Sequence, residues 1–120
     1  MGEFARKRFD EADETRSFDH GKGYVVHLAG SSASLGELEP GWSWSADVKP
    51  IAGTDSCQFH HVGYALEGTL HVLTNEGEEH EINAGDAYEI LPGHDAWVVG
   101  DQTYRALEFQ SETAAQLGRR

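Results

Sequence analysis

The chain has 120 residues, 38% of them hydrophobic, and its 21 acidic against nine basic residues give a formal net charge of −12. This length and composition predict one domain with a core of its own, and no apolar run is long enough to span a bilayer. The acidic surplus argues against nucleic acid and membrane surfaces as partners, because both present negative charge. The single cysteine excludes an internal disulfide.

Residues 1–22 are charged and of mixed sign, with Phe4, Phe9 and Phe18 interspersed. Their apolar spacing fits a helix poorly, so we predict an N-terminal arm that either packs on a partner subunit or is disordered. The segment lacks the apolar stretch of a secretory signal, which makes the cytoplasm the expected location. Residues 23–104 hold thirteen acidic residues against one base, Lys49, so a phosphorylated substrate is not expected.

From residue 23 the pattern changes to short apolar segments separated by Gly and Pro turns. Such spacing is typical of an all-β sandwich or barrel. We predict that residues 23–110 form this barrel and that residues 111–120 form a short C-terminal tail. Within it, Trp42 and Trp44 alternate with serine, which predicts that both indoles face one side of a strand. The predicted strands cover residues 24–28, 35–38, 42–45, 59–66, 69–73, 78–82, 87–91, 96–99 and 105–109.

Two segments carry Cys and His beside glycine turns. The first runs Cys57-Gln58-Phe59-His60-His61 and reaches Gly68 seven positions later, and the second runs from Gly85 to Pro92-Gly93-His94. This layout resembles the cupin superfamily, small barrels that usually hold a metal between two such segments. The resemblance implies a double-stranded β-helix, or jelly-roll barrel, with a metal pocket, and it also implies a homodimer.

The metal ligands follow from setting the cupin motifs on this chain. The first motif reads His-x-His, three or four residues, Glu, six residues, Gly; with its Gly at Gly68, the other positions hold Asp55, Cys57 and His61. In the second motif the His position holds Ala96, and His94 lies two residues earlier on the same strand face. The resemblance therefore implies the ligand set Cys57, His61 and His94 rather than three His and one Glu.

One thiolate and two imidazoles suit Zn²⁺, which accepts tetrahedral nitrogen and sulfur ligands and would keep a fourth position open. Iron and manganese remain alternatives. Three further side chains are alternative ligands. His60 would replace His61 if a bulge shifted the phase of the strand, and His71 would be a ligand if its side chain pointed into the barrel. Asp55 would be a fourth ligand, or a hydrogen-bond acceptor behind a histidine ligand.

Four aromatic residues, Trp42, Trp44, Tyr64 and Trp97, are expected in the barrel wall, either as plain core or as a pocket for an apolar or cationic small molecule.

Three functions stay open. The first is a metal-binding sensor or accessory protein with a small-molecule ligand. The second is a metal-dependent oxygenase, lyase or isomerase with Glu89, His60 or Tyr64 as base. The third is a metal-free scaffold.

Overall fold

The computed structural model describes residues 4–111 and consists mainly of antiparallel strands. A six-stranded sheet has the order β1-β2-β3-β9-β4-β7, and a three-stranded sheet has the order β6-β5-β8. This architecture confirms the predicted all-β jelly-roll fold. The strands are β1 (Glu14–Phe18), β2 (Gly21–His27), β3 (Ser31–Leu38), β4 (His61–Glu67), β5 (Thr69–Thr74), β6 (Glu79–Asn83), β7 (Ala87–Ile90), β8 (His94–Val99) and β9 (Tyr104–Ser111).

The helical segments of the described chain are short. One 3₁₀ turn covers Phe9–Glu11, and helices α1 (Trp44–Asp47) and α2 (Lys49–Ala52) lie between β3 and β4. None of these helices is long and apolar enough to cross a membrane. Helix α2 lies between the predicted strands 42–45 and 59–66.

The segment expected to be an arm contains regular structure. Strand β1 and the start of β2 lie within residues 1–22, and β1 pairs with β2 from Glu14 opposite Val25 to Phe18 opposite Gly21. Three of the five β1 side chains are exposed, because β1 is an edge strand of the barrel sheet. The alternation of apolar and polar residues that predicts a strand is therefore weak in β1. At the other end, the predicted tail lies outside the described residues from 112 onward.

The tryptophan segment also differs from the predicted strand. Ser43 bridges to Trp97, and α1 then begins at Trp44 because the Ser43 hydroxyl accepts a hydrogen bond from the Ala46 N–H at 3.2 Å. Both indoles are nevertheless buried, with Trp42 6% and Trp44 5% exposed. They join Ala65 and other small and aliphatic side chains in the hydrophobic core between the sheets.

Candidate metal centre

Backbone hydrogen bonds hold Cys57 beside the start of β8. The Cys57 N–H donates to the His94 carbonyl and the Gly93 N–H donates to the Cys57 carbonyl, both at 2.7 Å. Gly93 has a φ of +95°, a left-handed conformation that favours glycine. A Cβ there would also lie 2.9 Å from the Asn75 side-chain nitrogen. The Pro92-Gly93 turn thus fixes His94 next to the cysteine.

Cys57, His61 and His94 converge in the structure. Their ligand atoms all lie within 4.8 Å of one another, and the Cys57 Sγ to His61 Nε2 distance is 3.6 Å. Ligand atoms bound to one tetrahedral zinc ion stand about 3.6 Å apart, given bonds of about 2.0–2.3 Å. Cys57 and His94 are buried, and His61 is half-buried. The three residues named from motif spacing therefore form one cluster.

Hydrogen bonds leave one ring nitrogen of each histidine available. His94 Nδ1 lies 2.9 Å from the Leu91 carbonyl oxygen, which only accepts, so Nδ1 carries the hydrogen and Nε2 carries a lone pair. His61 Nδ1 lies 2.7 Å from Glu108 Oε1, which turns Nε2 toward the thiol. Partners of this kind commonly orient histidines that bind metals.

Sequence reasoning missed Glu108 and Tyr88. The Tyr88 hydroxyl donates to Glu108 Oε2 at 2.7 Å. Gly63 makes room for this contact, since a Cβ there would lie 2.8 Å from the Tyr88 hydroxyl and 2.9 Å from Glu108 Cγ. Alternation along β9 offered a signal, because Tyr104, Ala106 and Glu108 all line the same interior cavity.

Electrostatics couple Cys57 to His61. Burial raises the pKa of the Cys57 thiol, but hydrogen bonds, above all the one from the protonated His61 ring, stabilise the thiolate more, so the pKa falls to about 6. Burial lowers the pKa of His61, yet hydrogen bonds to Cys57 and Glu108 raise it to about 10. Burial and the Glu108 carboxylate both raise the pKa of Tyr88, so its hydroxyl stays protonated. Without a metal, the cluster therefore contains a thiolate–imidazolium pair.

Asp55 and His60 lie apart from this cluster. Asp55 is fully exposed and has Lys49 at 4.0 Å, because the chain before Cys57 forms a bend and not an extended strand that would turn Asp55 toward the cluster. His60 points away and pairs with Glu89 at 2.7 Å, with both side chains about half exposed.

His71, Trp97 and Tyr64 lie on outer faces of the barrel. The His71 and Trp97 rings stack with centroids 4.7 Å apart, and His71 Nε2 is 2.8 Å from Glu79. Tyr64 is 44% exposed, whereas the next residue, Ala65, is fully buried. Because neighbouring strand residues face opposite sides, Tyr64 and Trp97 do not line the interior cavity, whereas Trp42 and Trp44 do.

A cavity of about 520 Å³ opens above the cluster, within the range of small-molecule sites. Apolar and aromatic side chains supply most of its wall, including Phe18, Trp44 and Phe59. Trp42 Nε1 and the Tyr104 hydroxyl, on two further wall residues, are buried without a hydrogen-bond partner in the described chain.

The donor set fits a divalent transition metal. Cys57 supplies a sulfur that is thiolate at neutral pH, and His94 offers its Nε2. His61 would offer its Nε2 to a metal on losing the imidazolium proton. A soft thiolate with two imidazoles suits zinc and disfavours Mg²⁺ and Ca²⁺. Since the three residues leave a tetrahedral ion one further position, the ion would be open to a ligand in the cavity.

Comparison with known proteins identifies the fold. Neither a protein-family model nor a curated protein matches the sequence. Among solved structures, oxalate decarboxylase from Lactobacillus farciminis, in a formate complex, is 22% identical with a TM-score of 0.66 over 90% of this chain and 32% of its own. The polyketide cyclase RemF from Streptomyces resistomycificus is 17% identical with a TM-score of 0.62, covering 89% of this chain and 78% of its own.

KdgF from Halomonas sp. is 20% identical with a TM-score of 0.58, covering 92% of this chain and 94% of its own. The chain therefore spans about a third of the oxalate decarboxylase but nearly all of KdgF. These structural similarities and the two-sheet topology show that the chain has the cupin fold.

Proposed function

We propose that this protein binds a divalent metal ion, zinc in the first place, through Cys57, His61 and His94, and holds a small molecule in the cavity above it. The observation that carries the proposal is the convergence of the three donor atoms within 4.8 Å at the base of a largely apolar cavity. A sensor or accessory role needs only these two features.

Zinc is preferred over iron and manganese because of the thiolate, since zinc accepts mixed sulfur and nitrogen ligands without a change in oxidation state. A bound zinc ion would supply Lewis acidity to an oxygen or nitrogen atom of the ligand. Around it, Glu108 holds the His61 ring in place, and the apolar wall excludes water from the ligand.

A second function, a metal-dependent enzyme, is supported by the Glu108–Tyr88 pair. Glu108 lines the cavity and accepts hydrogen bonds from both His61 and Tyr88, so a proton can be held at either carboxylate oxygen. Glu89, His60 and Tyr64, the bases considered from the sequence, are all exposed, and none lines the cavity. Two of the structural neighbours, a decarboxylase and a cyclase, are enzymes by name.

Elemental analysis of protein purified without an affinity tag tests the metal proposal. We expect about one equivalent of zinc in the wild type and loss of most of it in His61→Ala and in His94→Ala. His71→Ala is the matched control, because His71 also has a carboxylate partner at 2.8 Å but lies outside the cavity. Equal metal content in all four proteins, or no metal after reconstitution with zinc, iron and manganese, would refute it.

The homodimer expected from the resemblance stays a prediction, as does the cytoplasmic location. Molar mass in solution by light scattering tests the dimer, and about 26 kDa is expected for two copies of a 13.2 kDa chain.

A further inference from the structure

Cys57, His61 and Glu108 form a line of polar contacts. Cys57 Sγ lies 3.6 Å from His61 Nε2, and His61 Nδ1 donates to Glu108 Oε1 at 2.7 Å. A thiol, an imidazole within hydrogen-bond reach and a carboxylate that orients the imidazole are the parts of a triad for acyl transfer. The barrel assembles this triad, since Glu108 lies on β9 and the other two residues lie at and before the start of β4.

The triad lies against the interior cavity. All three of its residues line the cavity, and Cys57 is only 5% exposed, so a molecule would reach the sulfur through the cavity. The rest of the wall is mostly apolar and aromatic, with Phe18 and Trp44 as examples. Such a wall favours uncharged apolar molecules, because a charge without a partner would lose its hydration there.

A backbone donor lies beside the sulfur. The Phe59 N–H donates toward Cys57 Sγ. Phe59 precedes β4, and no backbone carbonyl of residues 4–111 accepts a hydrogen bond from its N–H. A donor at this position can stabilise the negative oxygen that forms when a sulfur attacks a carbonyl carbon.

We propose that the metal-free protein hydrolyses small apolar esters, with Cys57 as nucleophile, His61 as acid and base, and Glu108 as the residue that positions His61. Sγ forms a bond to the acyl carbon, the ester C–O bond breaks, and the proton shared by Sγ and His61 Nε2 goes to the leaving oxygen. Water then attacks the acyl carbon, one of its protons returns to the Cys57–His61 pair, and the S–C bond breaks.

This activity goes beyond the proposed metal binding and does not depend on it. A zinc ion would occupy both Sγ and His61 Nε2, so the bound metal and the acyl group exclude each other. Zinc therefore serves as an inhibitor in the test, and the metal content of each sample separates the two proposals.

The experiment uses 4-nitrophenyl butyrate with the full chain, either freed of metal by a chelator or loaded with zinc. Nitrophenolate release gives the rate, and peptide mass spectrometry locates any butyryl group. The variants are Cys57→Ser, His61→Gln and Glu108→Gln. His71→Gln is the matched control, because His71 also contacts a carboxylate at 2.8 Å but lies outside the cavity. Zinc content is measured in parallel.

We expect metal-free wild type and His71→Gln to release a burst of about one equivalent of nitrophenolate and then to turn over, with the butyryl group on Cys57. Cys57→Ser and His61→Gln should lose about 100-fold or more of the rate. Glu108→Gln should lower kcat about 10- to 100-fold without changing KM. Because the adduct is measured on the wild type, it is decisive even if a variant fails to fold.

Absence of both the adduct and turnover in the metal-free wild type would overturn the proposal, whatever zinc the protein binds. A wild-type rate in Cys57→Ser would also overturn it, since hydrolysis would then come from another group. Faster hydrolysis by the zinc-loaded protein, without an adduct, would assign the reaction to the metal. An active triad in a protein that binds no zinc would refute the metal proposal and leave this one standing.

Discussion

Two histidines, His61 and His71, look alike locally and differ in what surrounds them. Each lies on a strand, with its side chain 23% or 18% exposed, and each has a carboxylate within 2.8 Å. His71 even has a second carboxylate, Glu81, at 3.7 Å. On these measures alone His71 would be as good a metal ligand as His61.

The difference lies in the third neighbour of each ring. His61 faces the Cys57 sulfur at 3.6 Å and has the His94 ring at a centroid distance of 5.2 Å. His71 instead stacks on Trp97. A partly buried histidine with a carboxylate partner thus does not by itself make a metal site, and convergence of further nitrogen or sulfur donors is what makes a transition-metal site. Five predictions test this contrast.

The largest effect is expected from the thiol. Cys57→Ser should reduce zinc affinity about 100-fold or more and shift the preference away from zinc, because the hydroxyl replaces a soft sulfur donor by a poor ligand. Competition with a zinc chelator measures the affinity. Unchanged affinity would show that the two histidines bind the ion without the cysteine.

The next effect concerns the carboxylate behind each histidine. Glu108→Gln should weaken zinc binding about 10- to 100-fold, because the charged acceptor that orients His61 is lost. The matched change on the outside, Glu79→Gln, removes the partner of His71 and should leave zinc affinity unchanged. Titration calorimetry on both variants compares them directly, and equal losses would remove the distinction between the two histidines.

A third effect tests the packing that brings Glu108 into place. Gly63→Ala should lower the free energy of unfolding by about 1–3 kcal/mol, since the added methyl would meet the Leu107 carbonyl, the Tyr88 hydroxyl and Glu108. Gly23→Ala is the control in the same sheet, because its Cβ would meet nothing within 4 Å. Urea unfolding gives both values, and similar losses in the two variants would contradict this packing.

The smallest effect is a proton equilibrium in the metal-free protein. The Cys57 thiol should titrate near its pKa of about 6, below the ordinary value of 9.0, as followed by thiolate absorbance near 240 nm. His61→Gln should raise this pKa, because it removes the first stabilising partner of the thiolate, whereas His71→Gln should not. A thiol that titrates near 9 in the wild type would argue against the ion pair.

The same pair predicts how stability depends on pH without metal. The lowered pKa of Cys57 contributes stability that is lost as pH falls through about 6, and the raised pKa of His61 contributes stability that is lost as pH rises through about 10. We therefore expect the pair to stabilise the folded state most between these values. Denaturant midpoints of wild type and His61→Gln across pH 5–11 give this contribution as a difference.

Residues inside one motif were predictable, and residues brought together by the barrel were not. Cys57 and His61 follow from the motif spacing, and His94 from the strand parity of the second motif. Tyr64 lies three positions after His61, as Trp97 does after His94, so strict alternation already places both on the opposite face. The alternation of strand side chains therefore predicts that Tyr64 and Trp97 lie outside the pocket that His61 and His94 face.

The remaining site residues depend on long-range pairing. Glu108 reaches His61 because β9 lies beside β4, with Glu108 opposite Gly63, and neither motif contains information on that pairing. Strand β1 was missed for another reason, because it is an exposed edge strand without clear alternation. Phe18, at its end, lines the cavity.

The position of Cys57 has a mechanical consequence. It precedes β4 and bridges to the first residue of β8, so an ion shared with His61 and His94 would fasten three stretches of chain that meet at the end of the barrel. In a protein with a single cysteine, such an ion would act as the cross-link that a disulfide provides elsewhere. Oxidation of one sulfur atom would then loosen the barrel end and the ligand site together.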